Sequence, residues 1–162
     1  MNPVAAQSPL FVRAGAGHFA DLGDHRGHIK ISADHTEGAF MLMEIEADFN
    51  GGVPLHIHRL EDETFVMLSG CIEFGIGEQI IEAGPGDTVF GPRNVAHSWR
   101  CTSPEGAKFL IWITPGDNFQ AFGLAMAQDG VAPKDAVADP ELMRGFLAIT
   151  EKHGIEMLPP GK

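Results

Sequence analysis

The chain has 162 residues, 44% of them apolar, the size and composition of one globular domain with a real hydrophobic core. Twenty-two acidic against eleven basic residues leave a net charge of −11, which repels phosphate backbones and anionic lipid and so excludes an electrostatic nucleic-acid partner. Cys71 and Cys101 lack disulfide-framework spacing, Met1 to Gln7 have no basic-then-apolar leader, and no apolar run approaches the roughly 20 residues of a membrane helix; a cytoplasmic setting without a membrane partner is expected.

Residues 1–37 form an N-terminal segment in which Leu10 to Arg13 and His28 to Ile31 are possible edge strands, separated by a glycine- and histidine-rich stretch. From residue 38 to 114 the pattern is strand after strand: Ala39 to Phe49, Val53 to His58, Glu63 to Leu68, Cys71 to Ile76, Gln79 to Glu82, Thr88 to Gly91, His97 to Cys101 and Lys108 to Ile113. The separators Asn50-Gly51-Gly52, Ser69-Gly70, Gly84-Pro85-Gly86 and Ser103-Pro104-Glu105-Gly106 are turn chemistry, so the segment reads as an all-β sandwich or barrel.

Residues 115–162 change character. Phe119, Phe122 and Met126, then Leu142, Phe146 and Ile149, fall at helical spacing and predict two amphipathic helices. The second carries Asp139 as N-cap, Pro140 and Glu141 in its first turn, Lys152 and His153 in its last, and Gly154 just past its end. Its apolar face is expected to pack on the outside of the barrel or on a dimer partner, as a stabilising cover without chemistry of its own.

Three histidines and a glutamate carry the functional signal. His56 and His58 are separated by one residue in a strand, so both rings project from the same face. Glu63 re-enters an extended segment after a short bend, and His97 opens a later strand that can reach the same interior. Three imidazole nitrogens and one carboxylate oxygen suit one divalent transition metal: Fe(II), Mn(II), Ni(II), Co(II), Cu(II) or Zn(II). A His-x-His pair alone is more often two surface or core histidines than a metal site. His18, His25, His28, His35 and His153 lack partners at ligand spacing and are expected in solvent-facing or loop positions.

The wider pattern resembles the two signature motifs of the cupin superfamily. His56-x-His58, four residues, Glu63, six residues and Gly70 match the second part of the first motif in full, with Asn50 where the family has its leading glycine. Gly86, Pro92 and His97 match the second motif, with Asn94 replacing its inner glycine and Cys101 its final asparagine. The resemblance spans Gly38 to Thr114, about half of the chain, and implies a double-stranded β-helix, the cupin jelly-roll barrel, with His56, His58, Glu63 and His97 as its metal ligands.

Four protein ligands leave one or two positions of a five- or six-coordinate ion open, the arrangement of a catalytic metal. Strand alternation carries Phe65 and Met67 inward with Glu63, and Val95, Trp99 and Cys101 inward with His97. On the neighbouring strand it carries Met41, Met43 and Ile45 inward and turns Glu44 and Glu46 to water. Met41, Met43, Phe65, Met67 and Trp99 are thus the expected substrate pocket, unless they only fill a small barrel. The stretches around Glu61 to Gly70 and Ala83 to Arg93, and the tail Gly154 to Pro160, look like the small single-domain cupins related to quercetin 2,3-dioxygenase. That implies a metal-dependent dioxygenase for a small aromatic or enolisable molecule, with Glu63 as general base. A metal-dependent isomerase, decarboxylase or lyase, and a non-catalytic small-molecule-binding cupin, are the alternatives. Apolar Leu110 and Trp112 on an outer sheet face lead to an expected homodimer.

Overall fold

In β10 (Ala107–Thr114), Ala107, Phe109, Ile111 and Ile113 are buried while Lys108, Leu110, Trp112 and Thr114 on the other face are only half-covered. That two-residue period is what a strand with one face on a core requires. In the computed structural model, which describes residues 8–128 and 139–159, this strand runs between β3 (Met41–Ala47) and β5 (Asp62–Ser69). Their sheet is completed by β1 (His18–Asp21), β2 (His25–Ile31) and β8 (Thr88–Gly91), in the order β1-β2-β3-β10-β5-β8. The second sheet comprises β4 (Gly52–His58), β6 (Ile72–Ile76), β7 (Gln79–Ala83), β9 (His97–Cys101) and β11 (Ile155–Met157), in the order β11-β4-β9-β6-β7. All pairings are antiparallel, giving the expected jelly roll.

The inner faces meet in an aromatic core: Phe65 lies 4.8 Å from Phe74 and 6.0 Å from Phe109, and Trp99 stands edge-on to Phe109 at 5.2 Å between ring centroids. Both asparagines that replace motif glycines occupy the left-handed region, Asn50 at φ 64° and Asn94 at φ 65°. Asparagine is among the few residues that tolerate this conformation, so the turns survive the substitutions.

Two helices follow β10. The first is α1 (Asp117–Gln128) and the second α2 (Pro140–Lys152), started by the Asp139 side chain, which accepts from the backbone N–H groups of Glu141 and Leu142 at 2.7 and 3.4 Å. Met126 and Ile149 join the helices in a small cluster with Phe122, Ala125 and Phe146.

Several expectations change. Leu10 to Arg13 forms no strand, with Phe11 exposed. The edge position belongs instead to β1, whose pairing with β2 the glycine-rich flanks conceal. β2 begins at His25, three residues before the expected strand. β11 is too short to announce itself in sequence and exists because β4 offers it an open edge. Glu44 is on the outer face as expected but buried rather than in water, with the ammonium groups of Lys30 and Lys108 each 3.9 Å from its carboxylate. The helical extension is more than a cover: residues of both helices join residues of both sheets around one cavity.

Candidate metal centre and its cavity

β4 and β9 are neighbours, and beyond a register shift between Val53 and His56 they place His56 opposite His97, with the two rings 4.3 Å apart. His58, two residues on along β4, stacks on His97 at 5.6 Å with the planes inclined by 18°. Glu63 arrives from β5, in the other sheet. The site therefore bridges the two layers, three imidazoles from one and one carboxylate from the other. One ligand atom from each of His56, His58, Glu63 and His97 lies within 4.8 Å of all the others, and all four side chains are buried.

The outer nitrogens explain the orientation of the inner ones. His56 Nδ1 is 2.8 Å from the Pro54 carbonyl and His97 Nδ1 is 2.9 Å from the Val95 carbonyl. A carbonyl only accepts, so each Nδ1 carries the hydrogen and the Nε2 lone pair is turned to the group. His58 Nδ1 faces a Glu61 oxygen at 3.3 Å in the same manner. His97 Nε2 then stands 2.9 Å from Glu63 Oε2, and His58 Nε2 stands 3.5 Å from Glu63 Oε1. Two acceptors at such separations need a cation between them, either a proton or a metal ion. The donor set and its outer partners fit a divalent ion of the kind named above.

Electrostatics agree with a ligand set. Burial pulls the His56 pKa from the ordinary 6.5 down to about 4, only partly opposed by Glu63, so the ring is neutral at pH 7. Burial alone would raise the Glu63 carboxyl, but the imidazoles of His58, His97 and His56 outweigh it and hold the value at about 2. His97 moves upward: burial acts to lower it, and the hydrogen bond and charge of Glu63 prevail.

A cavity of about 670 Å³ opens onto His56, His58 and Glu63. That is within the range of about 300–1,000 Å³ in which small molecules are held. Met43 and Trp99 of the expected pocket are on its wall. Met41, Phe65 and Met67 are not: they point inward as alternation demands but are 3%, 1% and 2% exposed in the core packing. Alternation tells which side of a sheet a residue faces and not how far along the barrel it lies. Their place is taken by the helices, through Phe119 and Phe122 of α1 and Met143, Phe146, Leu147 and Thr150 of α2. The last four recur at i, i+3, i+4 and i+7, a continuous helical face, offset from the Leu142, Phe146 and Ile149 stripe expected from sequence.

Two of the histidines expected in solvent-facing or loop positions are buried. His25 lines the cavity, its Nδ1 held 2.7 Å from Asp24 Oδ1 and its ring edge-on to Trp99 at 5.1 Å. His153 caps α2 and contacts Asn118. Neither has a sequence spacing that would single it out, because the residues that enclose it, Trp99 for His25 and Asn118 for His153, come from other elements.

Comparison with known proteins agrees with this geometry. The family described as Cupin_2: Cupin domain matches residues 41–114. The quercetin 2,3-dioxygenase of Bacillus subtilis (strain 168) is 30% identical over 108 residues, which is 67% of this chain but 32% of that protein, so the chain spans about a third of its relative's length. Among solved structures, KdgF from Halomonas sp. superposes with a TM-score of 0.59 at 16% identity, covering 67% of this chain and 94% of that one. A Thermotoga maritima protein described as a predicted oxalate decarboxylase gives a TM-score of 0.60 at 19% identity, covering 65% of this chain and 99% of the other. At such identities the likeness is one of fold. Jelly roll, motif residues and family match converge on one conclusion: the chain belongs to the cupin superfamily, with its cupin domain at residues 41–114.

Proposed function

We propose that the protein is a metal-dependent oxygenase of the dioxygenase kind, acting on a small, largely apolar aromatic or enolisable molecule. The observation that carries this reading is the cavity of about 670 Å³, walled mainly by aliphatic and aromatic side chains, with His56, His58 and Glu63 of the three-histidine, one-glutamate group on its wall. The remote relationship to a quercetin 2,3-dioxygenase supports it.

His56, His58, His97 and Glu63 would hold the ion, which when bound supplies a Lewis-acidic, redox-capable centre with room for exogenous ligands. Glu63 has the further role of general base. Its carboxylate is anionic at neutral pH and faces the cavity, where it can take the proton of a substrate hydroxyl. Trp99, Phe119 and Phe146 would orient a flat apolar body and exclude water from the reacting end. Asp24 fixes the His25 ring, which offers a polar contact elsewhere on the same wall.

A homodimer is part of the proposal. Leu42, Val66, Leu110 and Trp112 share the outer face of the six-stranded sheet, and Phe90 beside them is 56% exposed. The deciding experiment is metal quantification on protein grown without metal supplementation, followed by oxygen-electrode assays against flavonols and other enolisable aromatics. Oxygen consumption coupled to substrate loss supports the proposal. Turnover that proceeds without oxygen would assign an isomerase, decarboxylase or lyase instead, and tight binding without turnover a small-molecule-binding protein.

A further inference from the structure

Glu61 is fully buried, at 0% exposure, in the bend between β4 and β5. A carboxyl group withdrawn from water to that degree is costly unless every oxygen is compensated. Its oxygens are divided between two parts of the molecule. Oε2 faces His58 Nδ1 at 3.3 Å, and Oε1 accepts from Asn118 Nδ2 at 2.5 Å. Asn118, in the first turn of α1, uses its remaining capacity on the end of α2: Nδ2 also donates to the His153 carbonyl at 2.8 Å, and Oδ1 accepts from His153 Nδ1 at 3.1 Å. One unbroken chain of contacts thus runs from a candidate metal ligand to both helices that roof the cavity. Among the described residues no lysine or arginine hydrogen-bonds to Glu61, so the directly contacting side chain able to bring it positive charge is His58.

We propose that Glu61, Asn118 and His153 are positioning residues that tie His58 to the helical roof, so that loading the metal centre orders α1 and α2 over the cavity and the roof in turn holds His58 for the metal. The inference rests on the metal-site reading above and adds to it a mechanical role for the C-terminal helices. A cation at His58 Nε2 polarises the ring, strengthens the Nδ1–H contact to Glu61, and stabilises the carboxyl group on which Asn118 is anchored. A purely structural attachment would be served as well by apolar side chains, without the cost of burying the acid.

The test uses Co(II) as probe on the full chain, with its d–d absorption reporting ligation and amide hydrogen exchange reporting the helices. In the native protein, Co(II) is expected to slow exchange in residues 117–127 and 140–153 at least about threefold. Asn118→Leu should bind Co(II) within a few-fold of the native affinity yet show no slowing. His153→Phe breaks the same link from the other helix and serves should Asn118→Leu fold poorly. Glu61→Gln should lower Co(II) affinity at least about tenfold, since an amide nitrogen facing His58 favours the wrong tautomer. Co(II) binding to native protein with unchanged helix exchange overturns the strut and leaves the metal centre standing. Failure to bind Co(II) at all overturns both. Slowing that persists in Asn118→Leu and His153→Phe also overturns it, as does Glu61→Gln with native affinity.

Discussion

Glu63 and His97 come from different sheets and meet with Oε2 and Nε2 only 2.9 Å apart. This contact joins the two layers of the jelly roll at the point where the cation is expected. Glu63→Gln keeps an oxygen ligand but removes the anionic base. It should retain metal within about tenfold while turnover falls by roughly 100-fold or more, measured by metal content and initial rates on the same preparation. Loss of metal and activity together would make Glu63 a structural ligand only.

The upward shift of His97 predicts how metal binding responds to pH. Its raised pKa stabilises the metal-free fold below the ordinary 6.5, and that contribution is lost as pH rises through the raised folded value. Metal acts in the opposite sense, since it needs Nε2 unprotonated, so its affinity should fall about tenfold per unit as pH drops below the folded value. His56, held at about 4, does not compete over this interval. Thermal unfolding with and without Zn(II) from about pH 5 to about pH 8 should show the metal-induced rise in Tm growing with pH. A rise independent of pH would contradict the assignment.

Phe65 and Phe146 distinguish core from cavity wall. Phe65→Ala removes a side chain 1% exposed among other aromatics and should cost about 3–5 kcal/mol of folding stability. Phe146→Ala cuts a half-buried roof residue and should cost about 1 kcal/mol, with its main effect on ligand affinity. Denaturant titration and calorimetric binding of an apolar aromatic ligand separate the two.

The outer face carrying Leu110 and Trp112 is the proposed dimer surface. Light scattering at micromolar concentration should give twice the chain mass, and Trp112→Glu should give the single chain with the metal content retained. A native monomer would remove the proposal.

What the sequence determined by itself is the set of features that depend on short separations. The β-strand series follows from the period of two, the α2 start from Asp139 and Pro140, and the paired projection of His56 and His58 from their spacing. Only the tertiary structure decided where inward-facing residues lie along the barrel, leaving Met43 and Trp99 on the cavity and Met41, Phe65 and Met67 in the core. It also decided that the helices close the cavity, that β11 extends the second sheet, and that His25 and His153 are buried. Asn118 meets Glu61 across a separation of 57 residues and His153 across 35. Contacts of that kind leave no periodicity in the chain, because they depend on how whole elements pack and not on where neighbouring side chains point.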